Sequence, residues 1–455
     1  MKKLSYLLLG LGISAGITSC SKKSENPEVL PPAAGTVDVR GVISKDTKWT
    51  SDKTYRLRGY VYVDNGATLT IEPGTQIVSN KDSAGVLIIY KNSKIMARGT
   101  ADKPIVFTSN ETDKKPGDLG GVVLVGNATG NGNHAEIEGG VDAAHKAFGG
   151  NNDSDNSGVL SYVRIEYAGK AVAPGDEVNG LSLYAVGSGT TVDHIQVIRG
   201  LDDAFEFFGG TVNCKYLIAY NCADDDFDMD DGYRGKIQFA VSIKDPKFTD
   251  DKGTSGDISN NFEVDNTNGK KDFVTTTPIT FPILSNFTAI GPNNAAGTSP
   301  DYGYGMRWRR GAKFILANSI VIGGQKAGLT LDDDPTAQYY KDGLSGFRSC
   351  LLSSVASTYK VDKLTSFVFD ATALKNLVEG RDGSKSYANA ADVLLNDPFN
   401  NIAPNLAPKT GSPALSTTVN FQAELADPFF TKVNYVGAID PANDWTKEKW
   451  ASWNR

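Results

Sequence analysis

The amino-acid sequence predicts an all-β fold, a parallel β-helix whose stacked coils form a solenoid with loop insertions and a C-terminal cap. Short segments of alternating polar and apolar residues are separated by turns rich in Gly, Asn and Asp, a pattern typical of strands. Motifs also recur 22 and 26 residues apart, and a period in the twenties indicates stacked coils. A β-sandwich would instead show hairpin pairs joined by tight two-residue turns.

The N-terminus predicts a lipoprotein signal peptide over residues 1–19. Two lysines precede an apolar stretch, Leu4–Ile17, that is too short to remain as a membrane-spanning helix. The stretch ends in Ile-Thr-Ser-Cys, which resembles a bacterial lipobox with Cys20 as the lipidated residue. No Asp follows Cys20, and resemblance to known lipoprotein sorting then favours the outer membrane. We expect acyl chains, palmitate among them, to anchor the protein there, with residues 20–36 as a flexible tether.

The parallel β-helix is predicted over residues 37–384, and residues 385–455 are predicted to form C-terminal coils and a cap. In the first part, Leu69 and Ile95 occupy equivalent settings 26 residues apart (95 − 69), which corresponds to one coil. Strands are predicted in alternating or continuously apolar segments, which include Thr54–Val63, Ala67–Ile71, Val86–Tyr90, Leu160–Tyr167, Val192–Val197, Lys215–Ala219, Lys236–Val241, Phe287–Ile290 and Ser319–Ile322.

Two acidic stretches give the clearest repeat: LDDAFEFFGGTVN begins at Leu201 and ADDDFDMDDGYRG begins at Ala223. Phe205 superposes on Phe227 with an offset of 22 residues (227 − 205). The same offset pairs Asp202 with Asp224, Asp203 with Asp225, Glu206 with Asp228, and the apolar residues Ile195 with Leu217. We therefore expect the members of each pair to be neighbours on adjacent coils, about 4.8 Å apart.

Composition and cysteine content limit the classes of function. The 455 residues carry a formal net charge of −7, and no run of Lys or Arg is longer than two. Because binding to phosphates requires a basic surface, a nucleic-acid partner is not expected. Besides Cys20 the chain has Cys214, Cys222 and Cys350, without the spacing of a zinc site. An odd number indicates buried thiols more than a disulfide framework.

The stacked carboxylates form the predicted functional site. Carboxylates at coil spacing repel each other and take up protons unless a cation or a hydrogen-bond donor lies between them. One explanation is a Ca²⁺ ion, which prefers six to eight oxygen ligands. The second is structural, with side chains in water or bonded to backbone N–H groups at turns. The third is catalysis. The predicted metal ligands are Asp202, Asp203, Glu206, Asp224, Asp225, Asp226 and Asp228.

The third explanation, catalysis, is tested by comparing these residues with those that β-helix enzymes use. The Asp202–Asp203 pair resembles the acid pair of polygalacturonase-like hydrolases, but these also use a downstream Gly-His-Gly, and this chain has no His after His194. A Ca²⁺-dependent lyase instead needs an Arg or Lys base. Arg309 and Arg310 offer one, and with Trp308 they are the predicted ligand-binding residues. The alternative for both arginines is an ordinary ion pair with Asp or Glu.

Several motifs together resemble a known family. They are TLTIEPGTQI, KIMARGTADKPIVFTSN, GDLGGVVLVGNA, LDDAFEFFGGTVN, DDDFDMDDGYRGKIQFAV and the C-terminal YVGAID with DWTKEKWASW. They look like lipoproteins and secreted proteins of Bacteroidota, which are predicted right-handed parallel β-helices of largely unassigned function. Some relatives occur beside TonB-dependent outer-membrane receptors. The resemblance implies a right-handed β-helix at the cell surface and does not imply a reaction.

The sequence as a whole predicts a surface-exposed outer-membrane lipoprotein that acts as a binding or accessory module. The expected ligand is a glycan or another nutrient, the expected partner is a TonB-dependent receptor, and the expected cofactor is Ca²⁺. The alternative is a Ca²⁺-dependent polysaccharide lyase of the parallel β-helix type. The two differ in one observable property, since only the lyase would release an unsaturated product.

Overall fold

The structure, a computed structural model, describes residues 35–173, 176–250 and 257–454. The predicted signal peptide, Cys20 and residues 21–34 of the predicted tether lie outside these ranges, and the domain boundaries given above stay predictions. The described chain winds into a right-handed parallel β-helix, which confirms the predicted fold class. Each coil contributes one strand or half-strand to each of three parallel ladders, here called the first, second and third ladder in their order along a coil.

The first two ladders share several long strands that bend from one ladder into the next. Strands of the first ladder alone are Thr47–Trp49, Thr68–Ile71, Lys94–Arg98, Ile315–Ala317 and Gly346–Arg348. Strands shared by the first and second ladders are Gly158–Glu166, Thr191–Ile198, Asn213–Tyr220, Lys236–Ile243 and Ile283–Ile290. The second ladder alone has Gln76–Ser79, Ile105–Ser109, Ile320–Gly324, Leu351–Ser354 and Lys385–Ser386.

The third ladder carries the acidic stretches. Two strands, Thr36–Ile43 and Thr54–Val63, pass from the second ladder into it. The rest of the third ladder is Val86–Ile89, Gly121–Val125, Leu181–Tyr184, Phe205–Phe208, Phe227–Asp230, Phe262–Asp265, Tyr304–Arg309, Ala327–Asp332 and Tyr359–Asp362. All of these pairings are parallel, as the repeat of like residues at a fixed spacing requires.

Elements outside the ladders are short. Antiparallel pairs are formed by Lys170–Ala173 with Asp176–Val178 and by Leu395–Asp397 with Asn405–Pro408. The α-helices are Asp334–Lys341 and Ala371–Asn376, a π-helical turn is Leu377–Arg381, and 3₁₀ turns are Ala390–Val393, Pro413–Leu415, Ala423–Ala426 and Trp445–Lys447. Among the described residues, no helix has both the length and the apolar character needed to cross a membrane.

The strand register confirms the predicted coil repeat. Phe205 pairs with Phe227 and Glu206 with Asp228, and Ile195 pairs with Leu217. Leu69 pairs with Ile95, the predicted 26-residue step. Longer insertions appear where the spacing widens, as between Phe227 and Phe262, which also pair although 35 residues separate them (262 − 227).

The interior is a continuous apolar column built by the inward-facing residues. The rings of Phe205 and Phe227 stack with centroids 5.3 Å apart, and Phe227 stacks on Phe262 at 5.5 Å. Full burial of each ring stabilises the coil stack through removal of apolar surface from water. The described cysteines Cys214, Cys222 and Cys350 are free and buried, as their number predicts.

The bend between the first and second ladders uses the left-handed backbone region. Tyr162, His194, Tyr216 and Phe239 occupy equivalent bends with φ between 52° and 62°. Their rings stack outward in one column, with His194 4.2 Å from Tyr162 and 4.4 Å from Tyr216 between centroids. Trp450 of the C-terminal segment packs edge-on against this column. Favourable stacking therefore accompanies a backbone conformation that non-glycine residues seldom adopt.

The C-terminal segment is held along the outside of the coils by buried amide side chains. The Gln196 side chain donates to the Ser452 carbonyl and accepts from the Ser452 N–H, both at 2.8 Å. The Asn318 side chain makes the same pair of bonds with Asn420, donating at 2.8 Å and accepting at 2.6 Å. These bonds satisfy backbone groups of the segment, and Trp450 of the same segment packs on the bends between the first and second ladders.

Candidate functional site

The outer face of the third ladder changes its chemistry from coil to coil. Within each strand, residues alternate between the apolar interior and this outer face. The outward column that begins with Ser182 continues through Glu206, Asp228 and Glu263 and then reaches Arg307, each residue in register with the next. Three carboxylates therefore lie on successive coils, followed by a guanidinium.

A second column of polar residues lies at the turn that enters these strands. It consists of Asn179, Asp203, Asp225 and Asn260, each three residues before an outward-facing residue of the third ladder. The Asp225 N–H donates to Asp203 Oδ1 at 2.8 Å, and the Asn260 N–H donates to Asp225 Oδ1. The side chain of Asn179 donates to Glu206, and that of Asn260 donates to Glu263 Oε2 at 3.1 Å. The amide side chains of Asn179 and Asn260 thus lie at the two ends of this column, and the carboxylates of Asp203 and Asp225 lie between them.

Three of the predicted metal ligands meet where the two columns are adjacent. One carboxylate oxygen each from Asp203, Glu206 and Asp228 lies within 4.8 Å of the others. The same holds for Asp225, Asp228 and Glu263, so that Asp228 belongs to two such groups. The Asp228 Oδ1 atom is buried and has no hydrogen-bond partner. An oxygen-only donor set of this kind is the one that Ca²⁺ prefers.

The carboxyl groups at this point favour the protonated form when no cation is bound. Burial is the largest cause that raises the pKa of Asp203, Glu206 and Asp228 well above the ordinary range. The next causes are other carboxylates: Asp224 for Asp203, Glu138 for Glu206 and Glu263 for Asp228. Repulsion between like charges in a desolvated site is the condition that a divalent cation relieves.

The remaining pair of predicted ligands, Asp202 and Asp224, lies at the edge of the same site. One oxygen from each lies within 4.8 Å of one from Asp203. Both side chains are only partly buried, whereas Asp203 is 6% exposed. The predicted ligand set therefore forms a continuous group that reaches from the buried turn to the solvent, with Asp226 as its exception.

Asp226 faces a protein cation instead. Its Oδ1 atom lies 3.0 Å from Lys244 Nζ, and the two side chains are 0% and 1% exposed. The Ser242 hydroxyl donates to the other carboxylate oxygen. Asp226 is thus already neutralised and is not one of the residues whose oxygens gather around Asp203 and Asp228, which corrects its place in the predicted ligand set.

The predicted ligand-binding arginines also lie against carboxylates. Arg309 Nε lies 2.7 Å from Asp265 Oδ1, and Arg310 Nη1 lies 2.7 Å from Asp265 Oδ2. Arg307 Nη1 lies 3.2 Å from Glu263 Oε2. The pKa of Glu263 is raised to about 7, because burial raises it more than the charges of Arg309 and Arg307 lower it. The alternative foreseen for Arg309 and Arg310, an ion pair with acidic residues, describes their contacts, but Arg309 is buried and not exposed.

Trp308 lies in the interior column. Its side chain is 0% exposed, and its ring stacks on Phe314 with centroids 3.9 Å apart. Alternation explains this position, since Met306 and Trp308 point inward while Arg307 and Arg309 point outward. A ligand on the surface cannot reach the Trp308 ring while the coil is intact, so the predicted role in ligand binding does not match where the residue lies.

A further acidic group involves a histidine from the long loop after Gly121–Val125. His134 Nδ1 lies 3.0 Å from Asp231 Oδ1, and Asn133 donates to the same oxygen at 2.8 Å. Burial lowers the pKa of His134, but the hydrogen bond and charge of Asp231, with Asp230 and Glu138, raise it to about 9. The charged imidazolium holds this loop against the end of the acidic strand.

Sequence reasoning missed Lys244, Glu263, Asp265 and Arg307. A signal for two of them is present, because FEVD at Phe262–Asp265 repeats the pattern of FEFF at Phe205–Phe208 and FDMD at Phe227–Asp230. The 35-residue spacing to the third copy hid it. Nothing comparable marks Lys244, whose partner is set by the path of the chain around the coil.

Comparison with known proteins agrees with this architecture. A family model described as pectate-lyase-like β-helix domain matches residues 41–392, more than half of the chain. Searches of the curated proteins and of the solved structures found no match. The matched region contains the whole third ladder and every carboxylate of the site. The chain belongs to the pectate-lyase-like β-helix domain family.

Proposed function

We propose that this protein is a lipid-anchored β-helix at the surface of the outer membrane that binds an acidic glycan through Ca²⁺ held on the third ladder. The observation that carries the proposal is the group formed by Asp203, Glu206 and Asp228, whose oxygens lie within 4.8 Å of one another on the outer face. Burial and neighbouring carboxylates raise the pKa values of all three. By contrast, Asp226 has Lys244 as a partner, and Glu263 has Arg307 and Arg309.

The residues present fit Ca²⁺ better than other common ions. The donors are carboxylate oxygens without Cys or His among the three central residues, as expected for a hard cation. Asp203, Glu206 and Asp228 would hold the ion, with Asp202 and Asp224 at the solvent side. A bound Ca²⁺ would supply a positive charge that attracts a carboxylate of the ligand. Because these three side chains do not fill six to eight positions, ligand oxygens and water would complete the coordination.

Calorimetric titration with CaCl₂ tests the cation site directly. We expect saturable binding to the wild-type protein and none to the double variant Glu206→Gln/Asp228→Asn, which keeps the shape of both side chains. Asp113→Asn is the matched control, since the Asp113 side chain is 85% exposed and pairs with Lys115. Absence of Ca²⁺ binding to the wild-type protein at millimolar concentration contradicts the proposal.

Glycan binding is tested separately with polygalacturonate as the probe. Affinity electrophoresis should show retardation of the wild-type protein with Ca²⁺ and none with chelator, while a neutral polysaccharide such as amylose should retard neither. Ca²⁺ binding without retardation by polygalacturonate would leave a cation site but contradict the acidic-glycan part.

Anchoring and partnership form the cellular part of the proposal. The lipobox sequence ending at Cys20 supports acylation, and the resemblance to Bacteroidota lipoproteins supports a TonB-dependent receptor as the partner that takes up the captured ligand. Affinity purification of the wild-type protein from detergent-solubilised outer membranes should recover such a receptor. Recovery of none after chemical crosslinking in intact cells contradicts the partner.

A Ca²⁺-dependent polysaccharide lyase is the second candidate, and the position of Arg307 favours it. Arg307 follows Asp228 and Glu263 in the outward column, two strand spacings or about 9.6 Å from Asp228. Proton abstraction next to a uronate carboxylate needs such a base near the cation. Release of unsaturated oligosaccharides from polygalacturonate, abolished in Arg307→Gln, would establish the lyase. Binding without such products leaves the binding module.

A further inference from the structure

Lys244 and Asp226 form a pair of opposite charges that water does not reach. Lys244 Nζ lies 3.0 Å from Asp226 Oδ1, with side chains 1% and 0% exposed. The pair lies behind the turn column of the acidic site and takes no part in the proposed cation binding. A desolvated ion pair of this kind costs solvation energy that the attraction between the charges repays only in part.

The surroundings of this pair match the hydrogen bonds of an amide. Lys244 Nζ donates to the Asp224 carbonyl oxygen, which is the acceptor that an amide N–H would need. The Ser242 hydroxyl donates to Asp226 Oδ2, which is the donor that an amide oxygen would need. Asn261 Nδ2 in turn donates to Ser242 Oγ at 2.6 Å and fixes the hydroxyl. After the loss of Asp226 Oδ1, the amide N–H would keep the Asp224 carbonyl oxygen as its acceptor, and the amide oxygen would keep the Ser242 hydroxyl as its donor.

Burial and proximity both favour condensation of the two groups. The two side chains are only 1% and 0% exposed, so bulk water neither separates them nor has ready access to hydrolyse an amide formed between them. Two reacting groups held in contact within a rigid coil also avoid the entropy of encounter.

We propose that Lys244 and Asp226 become joined by an intramolecular isopeptide bond between Nζ and Cγ. The ammonium transfers a proton to the carboxylate that it already contacts, and the amine then attacks Cγ. The Nζ–Cγ bond forms, the bond from Cγ to Oδ1 breaks, and Oδ1 leaves as water with two protons from the former ammonium. No oxidant, reductant or other reactant is required, and two buried charges disappear.

Intact-mass spectrometry of the purified wild-type protein tests this inference. We expect a mass lower by one water than the processed sequence requires, and a digest in which one branched peptide contains both Asp226 and Lys244. Recovery of the full mass, with these residues on separate unmodified peptides, overturns the proposal. This measurement needs no variant, so a failure of any variant to fold does not affect it.

Two variants and one internal control sharpen the result. Asp226→Asn should still join to Lys244 but lose ammonia instead of water, whereas Lys244→Arg should show its full mass. The pair Lys236–Asp427, with atoms 2.6 Å apart but side chains 25% and 36% exposed, should stay unlinked in the same digest. A water loss that persists in Lys244→Arg, or that maps to Lys236, shows that the mass change has another origin and overturns the assignment.

Discussion

Asp228→Asn is the substitution that most directly tests the chemistry of the acidic site. It changes the shape of the side chain little but removes its charge. Asp228 belongs to two clusters of three carboxylates, one with Asp203 and Glu206 and the other with Asp225 and Glu263. We expect opposite effects with and without cation. Without cation the variant loses a repulsive charge, and with cation it loses a ligand.

The structure sets the size of both effects. Two carboxylate charges 4.8 Å apart, the limit of separation within each group, repel by about 3.5 kcal/mol at an effective dielectric constant near 20. Part of this repulsion is relieved by proton uptake, so the gain in stability from Asp228→Asn without cation should be smaller. Ca²⁺ should stabilise the wild-type protein by about 1.4 kcal/mol at roughly tenfold excess over Kd and about 2.7 kcal/mol at roughly hundredfold excess.

The pH dependence of stability follows from the raised pKa of Asp228. The folded state holds its proton at a pH where the unfolded state, with the ordinary value of 3.8, has released it. This group therefore makes stability fall as pH rises above that value, until the folded carboxyl also ionises. In chelator the wild-type protein should melt at a higher temperature at pH 5 than at pH 8, and the difference should be smaller in Asp228→Asn.

Differential scanning fluorimetry with EDTA or CaCl₂ at both pH values measures these effects. Titration calorimetry in two buffers of different ionisation enthalpy should also show proton release when Ca²⁺ binds to the wild-type protein at pH 7. Equal melting temperatures of wild type and variant in EDTA, together with an equal response to Ca²⁺, refute the reasoning. Asp113→Asn, which changes an exposed carboxylate, should behave as the wild type throughout.

Three further changes test other parts of the molecule. Cys20→Ser should abolish labelling with a palmitate analogue and release the protein from the membrane fraction, and membrane retention without label would assign the attachment to a protein partner. His134→Gln should destabilise the protein by an amount on the order of 3 kcal/mol below pH 6.5, because the raised pKa of about 9 contributes stability that is complete below 6.5 and lost as pH rises to 9; an unchanged melting temperature at pH 6 would contradict this. Phe227→Ala should cost about 3 to 5 kcal/mol since its ring stacks on two others, whereas Val368→Ala, at a side chain 91% exposed, should change stability little.

The sequence by itself determined the fold class and the alignment of coils. In a parallel solenoid each residue lies above its equivalent in the next coil, so a repeat in the sequence is also a column in space. The offset that aligns Phe205 with Phe227 therefore placed Glu206 beside Asp228. The same argument predicted that the carboxylates gather, because their spacing equals the length of one coil.

Only the tertiary structure decided which carboxylates have a cation of the protein beside them. Lys244 reaches Asp226 from the far end of the same coil, and Arg307 reaches Glu263 across 44 residues that include a long insertion. Insertions of unequal length leave the ladder register intact but remove the regular spacing from the sequence. The contrast between neutralised carboxylates and the group around Asp228 was therefore not available from the repeat.

Tertiary structure also decided which residues of Tyr304–Arg309 point into the interior and which point outward, because the start and end of this strand could not be predicted from the sequence. Trp308 lies among glycines and charged residues and was predicted to bind a ligand, but the strand Tyr304–Arg309 places it inward between Val264 and Leu331. A shift of one residue exchanges the two faces of a strand. Arg307 and Arg309 consequently face outward toward the acidic column, while the aromatic ring between them completes the interior.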